Sequence, residues 1–242
     1  MIQIKHISKK YYIPHIQRTT LFEKIVGFIK EKNSLEEFYV LKDISFEIEK
    51  GEIFGIIGNN GCGKTTLLKI IGGIISPNSG TVHTKQRIVS FLDLGIGFHP
   101  ELTARENIYL YGTIMGITQK KLNKEFEEIL HFAGVERFAD MKLKQFSSGM
   151  AMRLAFATMI RTEFDTIILD EVFAVGDLEF KKKCVNELMK FKKQGKTIII
   201  TSHGMDAIID LCDRAMLLED GKIKAIGKPE EVVQAYIVND TK

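Results

Sequence analysis

The chain has 242 residues, 45% of them hydrophobic and 27% charged, with a net charge of only +3. Such a composition fits a globular protein with a sizeable core and argues against a disordered chain. A near-neutral balance makes no demand for nucleic acid as a partner, and no apolar run reaches the roughly 18 to 20 residues that span a bilayer. The first twelve residues, MIQIKHISKKYY, lack the apolar core of a secretory signal, and Cys62, Cys184 and Cys212 match no metal-ligand spacing. The expectation is a cytoplasmic chain with free thiols in a reducing compartment, any membrane function being supplied by another chain.

In chain order, Gln3 to Ile7 alternates like a strand, and residues 41–57 read as two strands joined by a turn at Glu49-Lys50-Gly51. Three short runs, IFGIIG (53–58), TIILD (166–170) and TIIIT (197–201), are apolar throughout, as in a parallel sheet covered by helices on both faces. From about 100 to 163 the pattern is helical. LNKEFEEILHFAGV ends at Gly134, and AMRLAFATMIR is a second helix. Asp220-Gly221 between MLLE and KIKAIG predicts a hairpin. The result is an α/β protein with a helical lobe inserted at about 95–163.

Gly58-Asn59-Asn60-Gly61-Cys62-Gly63-Lys64-Thr65 fits G-x4-G-K-[ST], after a strand and before the helix that begins at Thr65-Thr66. Glycines let N–H groups turn inward around phosphate oxygens, and the helix start adds partial positive charge. Lys64 reaches the β- and γ-phosphates, and the Thr65 hydroxyl is placed to ligate Mg²⁺. Cys62 reads as a small residue in a crowded turn, with a sharper alternative in which ATP shields its thiol from alkylation. Farther on, the buried strand at 166–170 ends in Asp170-Glu171. Asp170 can hold Mg²⁺, and Glu171 can accept a proton from the attacking water or orient it. His203 follows the next apolar strand, at an edge that faces the ligand crevice of an open α/β sheet.

With these residues in place the chain resembles the nucleotide-binding domain of ABC transporters, from about residue 2 to 230. The signature that separates that family from other phosphate-loop enzymes, usually LSGGQ, reads Phe146-Ser147-Ser148-Gly149-Met150. Ser147 and Gly149 match; Phe146, Ser148 and Met150 depart. The resemblance implies a phosphate-loop ABC ATPase with a RecA-like α/β core, an antiparallel β subdomain and a helical subdomain. Tyr11 resembles the residue that stacks on adenine, with Tyr12 as the alternative. Ala174-Val175-Gly176-Asp177 stands where the D-loop lies, and His203 resembles the switch histidine that touches the γ-phosphate. Two identical chains would sandwich two Mg-ATP, with Ser147 and Gly149 donating to a γ-phosphate held by the partner's Lys64. The glutamine usual after the strand following the phosphate loop is missing from FLDLGIGFHPELT, where Asp93 is the candidate substitute.

The strings LDLGIGFHPELTARENIYL, FSSGMAMRLAFA and LDEVFAVGDLEFKKKC resemble the ATPases that export bacterial polysaccharides such as O-antigen, capsule and teichoic acid. That implies ATP and Mg²⁺ as cofactors, an integral membrane permease in two copies as partner, and a place on the cytoplasmic face of the cell membrane. It implies no nucleic acid. Residues 13–39 form an insertion in which Thr20 to Glu23 is a capping box opening LFEKIVGFIKEK, with Leu21, Phe22, Ile25, Phe28 and Ile29 near helical spacing. Two readings stand side by side: a helix packed on its own core, or one facing the membrane subunit, the lipid interface or the mouth of the polymer path. Some relatives continue into a sugar-recognising domain. Either the polymer's chemistry need not be read here, or the sequence is a fragment. The rivals are the ABC ATPase motor of a different exporter, a soluble ABC ATPase acting on DNA or ribosomes, which usually shows paired domains, a coiled-coil insertion or basic patches, and a regulatory nucleotide-binding module.

Overall fold

A computed structural model describes residues 1–14, 35–92, 97–170, 177–202 and 204–240. The apolar runs form the centre of a six-stranded sheet. Strands β3 (Ile53–Ile57), β5 (Ile88–Phe91), β6 (Thr166–Asp170), β7 (Thr197–Thr201) and β8 (Arg214–Glu219) run parallel, and β9 (Lys222–Gly227) closes the edge antiparallel, in the order β5-β6-β7-β3-β8-β9. Every residue of β3 and β7 is buried, which explains the absence of polar alternation in their sequences.

Alternate side chains of these strands enter two different cores, as the period of two requires. Ile53, Ile57, Ile167, Leu169, Ile198, Ile200 and Leu217 pack on one face with Phe156, Phe180 and Leu188. Phe54, Ile56, Ile168, Ile199, Met216 and Leu218 pack on the other with Leu67 and Leu68 of α1 (Lys64–Ile71). That second core also takes Ile2, Ile4, Leu41 and Ile48 from a three-stranded antiparallel sheet of β2 (Leu35–Ile48), β1 (Ile2–Pro14) and β4 (Ser79–His83). The β1–β2 pairing runs out to Ile13 opposite Glu36 and Pro14 opposite Leu35. So residues 13–14 and 35–39, at the ends of the expected insertion, are paired strand. Its central stretch, with Thr20 and the apolar residues from Leu21 to Ile29, lies outside the described residues.

A third core belongs to helices α2 (Ala104–Ile114), α3 (Gln119–Ala133) and α4 (Ser148–Met159). Gly134 stops α3 as expected, in the left-handed conformation at φ 66°. Leu154 and Ala157 of α4 enter this helical core, whereas Ala155, Phe156 and Met159 enter the core on the sheet. Helix α5 (Leu178–Lys193), the short α6 (Met205–Leu211) and α7 (Pro229–Asp240) complete the described chain. The hairpin at Asp220-Gly221 is present, with positive φ at both residues (50° and 73°), as a type I′ turn requires.

The segment leading into α2 is organised by one buried side chain that the sequence reading passed over. Asn107, 0% exposed, accepts from His99 N at 2.6 Å and shares its amide protons among the carbonyls of His99, Leu102 and Thr103 at 2.8 to 3.1 Å. Thr103 and Glu106 cap the helix reciprocally. Replacing Asn107 by Ala takes the partner from the His99 N–H and leaves the three carbonyls with only the backbone N–H groups they also accept, and we expect Asn107→Ala to lose about 1–3 kcal/mol of stability in urea unfolding.

Candidate functional site

The loop from Gly58 to Thr65 joins the C-terminal end of β3, a strand flanked by β7 and β8, to α1. Its shape depends on residues without side chains. A Cβ at Gly58, where φ is 148°, would fall 2.0 Å from the Leu218 carbonyl oxygen. A Cβ at Gly63, where φ is 111°, would lie 2.9 Å from the Val40 carbonyl oxygen. No side chain caps α1 and no acidic residue sits in its first turn. Its leading N–H groups and its dipole are thus left to an anion.

Lys64 is 6% exposed, and its Nζ donates to the carbonyls of Gly58 at 2.6 Å and Asn59 at 3.0 Å. A cavity of about 280 Å³ is lined by Val40, Asn60, Gly61, Gly63, Lys64, Thr65 and Thr66. A neighbouring one of about 390 Å³ is lined by Phe38, Tyr39, Asn59, Cys62 and Asp220, among others. Tyr11 lines neither. It lies opposite Phe38 in the β1–β2 pairing, 44% exposed, with the Lys9 ammonium 5.4 Å from its ring centre. Tyr12, 52% exposed, carries Lys10 at 5.3 Å in the same way. The aromatic residues that line the second cavity are Phe38 and Tyr39. Their signal in the sequence was two adjacent aromatics just ahead of the strand expected to start at residue 41.

Thr65 and Asp170 meet. The Thr65 hydroxyl donates to Asp170 Oδ2 at 2.7 Å, and the hydroxyl of Thr201, at the end of β7, donates to Asp170 Oδ1. Asp170 and Thr201 are register partners in the parallel β6–β7 ladder, so the sheet itself fixes that contact. Thr201 was missed by sequence reasoning, although a hydroxyl ending an otherwise apolar strand was visible in TIIIT. Hydroxyl and carboxylate oxygens converging beside a phosphate-binding loop are the hard donor set Mg²⁺ takes, together with phosphate oxygens and water. Among the described residues there is no group of three or more His, Cys, Asp and Glu that would hold a metal without such a ligand. Glu171, His203, Asp93 and Ala174 to Gly176 lie outside the described residues.

The second cluster is at the start of α4. Ser147 is its N-cap, its Oγ accepting from Met150 N at 3.2 Å, which leaves the hydroxyl proton to be donated elsewhere. A Cβ at Gly149 would meet only Ser147 Oγ, at 3.9 Å, so the helix start is open around it. Asp177 caps α5 by accepting from Phe180 N at 2.8 Å and pairs with Arg153 of α4 at 3.2 Å. The Phe180 N–H, and after it the Arg153 charge, hold the Asp177 carboxyl below its usual range.

A family model described as ABC transporter matches residues 41–174. The chain belongs to the ABC transporter family. It is an ABC ATPase, and it binds ATP or ADP as that family does. It is 37% identical to the O-antigen export system ATP-binding protein RfbB of Klebsiella pneumoniae over 98% of this chain and 97% of that one. It is 37% identical to the teichoic acids export ATP-binding protein TagH of Bacillus anthracis over 97% of this chain and 42% of that one. Among solved structures it is similar to the ATP-binding cassette MJ0796 in a dimeric, post-hydrolysis state bound to ADP and Pi. The TM-score is 0.76 at 25% identity, covering 95% of this chain and 99% of that one. The observed α/β architecture is thus the phosphate-loop ABC fold.

In this ABC ATPase, Cys62 is turned inward, 9% exposed and packed with Leu67 and Leu68. Burial pushes its thiol above the ordinary range, against the opposing pull of Lys64. A raised pKa keeps the sulfur as the unreactive thiol to higher pH. Iodoacetamide at pH 8 should therefore label Cys62 at least about tenfold more slowly in the folded protein than in urea, read by mass spectrometry of its peptide.

Proposed function

We propose that the chain is the ATP-hydrolysing subunit of an exporter that moves a lipid-linked polysaccharide across the cytoplasmic membrane. The observation that carries this reading is the match to the Klebsiella O-antigen protein along nearly the whole of both chains. Similarity to a teichoic acid ATPase points the same way, since O-antigens and teichoic acids are different polymers. The class of cargo is shared between them while its chemistry is not. Among the described residues no helix is long and apolar enough to cross a membrane. The polymer's path therefore belongs to a membrane permease, present in two copies, that holds this chain at the cytoplasmic face.

Two chains form the working unit, with two Mg-ATP between them. Lys64 leaves the carbonyls of Gly58 and Asn59 for the β- and γ-phosphates, and the backbone from Gly58 to Thr66 wraps them. Thr65 and Asp170, already in contact, would hold Mg²⁺, with Asp93 in place of the usual glutamine. When bound, Mg²⁺ neutralises charge on the β- and γ-oxygens. Tyr11 stacks on adenine. Glu171 orients a water and takes its proton as the water oxygen bonds to the γ-phosphorus and the bond to the β-phosphate oxygen breaks. His203 touches the γ-phosphate, and Ser147 and Gly149 donate to it from the partner subunit. ATP closes the dimer because it binds the closed state more tightly than the open one.

Two experiments test this. Glu171→Gln should bind ATP and dimerise on a sizing column in ATP, while phosphate release falls by about a hundredfold or more. Near-normal turnover would remove Glu171 from its role. Co-expression with the membrane protein encoded beside it should recover both from detergent, with ATPase activity raised by a lipid-linked glycan. Stimulation by DNA or ribosomes, with no membrane partner recovered, would overturn the exporter reading and leave the ATPase.

A further inference from the structure

The last described helix touches the phosphate loop. The Tyr236 hydroxyl on α7 donates to Asn59 Oδ1 at 2.7 Å, across 177 residues of sequence. Asn59 is the second residue of the loop, and its main-chain carbonyl accepts from Lys64 Nζ at 3.0 Å and from Cys62 N at 3.3 Å. One residue therefore receives the last helix on its side chain and the loop's lysine on its backbone.

Both ends of this contact matter physically. Tyr236 is well anchored: its ring is half-buried and packs on the core that includes Val232, Val233 and Leu217. Asn59 is exposed and stands between Gly58 and Gly61, both at positive φ, the most pliable backbone types in the loop. A loop that must hold its N–H groups inward around phosphate loses affinity to the extent that it must first be ordered. A hydrogen bond from a packed ring to its most pliable part removes some of that ordering before nucleotide arrives.

We propose that Tyr236 is a positioning residue for the phosphate loop, acting through the Asn59 side chain, so that α7 sets the affinity for nucleotide. The inference rests on the phosphate-binding reading of Lys64. It asks for no contact between Tyr236 and the nucleotide. The loop side of the contact requires an amide or another acceptor at position 59, where the motif itself allows any residue.

The test compares the unmodified chain with Tyr236→Phe, Asn59→Ala and the double variant, in Mg-ATP titration calorimetry and steady-state hydrolysis. Tyr236→Phe keeps the ring packed and removes only the hydroxyl. Its Kd and KM for ATP should rise about three- to tenfold while kcat stays within about twofold. The double variant should bind no more weakly than Asn59→Ala alone, because both changes break the same bond. An unchanged Kd in Tyr236→Phe overturns the proposal, as does a double variant whose losses add. Failure of the unmodified chain to bind Mg-ATP would instead refute the phosphate-loop reading, and the positioning role with it.

Discussion

The carboxylate of Asp170 is held from two sides by groups that belong to different parts of the fold. Thr201 reaches it from the neighbouring strand of the sheet, and Thr65 from the first turn of the helix after the phosphate loop. The first contact is fixed by the parallel register of β6 on β7. The second requires β3 to leave the sheet one strand further along, with Gly58 pressed against the Leu218 carbonyl, so that α1 starts beside Asp170. A shift of register in either ladder would carry Asp170 or the loop away, and one slipped residue would also turn every side chain of that strand to the other core. The site is therefore as precise as the strand pairing beneath it.

That pairing was legible in the sequence because the central strands are apolar on both faces. IFGII, TIILD and TIIIT could only be strands covered twice, and their alternate residues do divide between two cores. The Gly134 stop and the Asp220-Gly221 turn were legible because each demands a backbone conformation that few residues tolerate. The extent of β1 and β2 was not. Residues 13–14 and 35–39 read as the ends of an insertion, the exposed side chains from Glu36 to Tyr39 showing no clean alternation. They are strand because they pair with each other, a property of two segments and not of either one.

The site divides along the same line. Gly58 to Thr66, Asp170 and Ser147 could be named from the sequence because motif spacing or a helix start reports them. Thr201, Asn107 and Tyr236 carry no such signal. Each acts by satisfying a specific partner brought to it by the fold: Asp170 for Thr201, the turn from His99 to Thr103 for Asn107, and Asn59 for Tyr236. Tyr11 shows the converse. Sequence order singles it out, but not Phe38, Tyr39 and Val40 of the strand paired with it, which line the cavities at the loop.

Helix α4 gives Leu154 and Ala157 to the helical core and Phe156 and Met159 to the core on the sheet, and Arg153 ties it to the start of α5. It is thus the axle between two bodies, each with a core of its own. A rocking of α2 and α3 against the sheet turns about α4 and carries with it Tyr111 of α2 and Phe132 of α3, whose rings reach the core on the sheet. Peeling α4 itself away would expose both cores at once. In amide exchange the two motions separate: opening α2 and α3 uncovers the helical core and withdraws those two rings, while the amides of α4 stay protected until the central sheet unfolds.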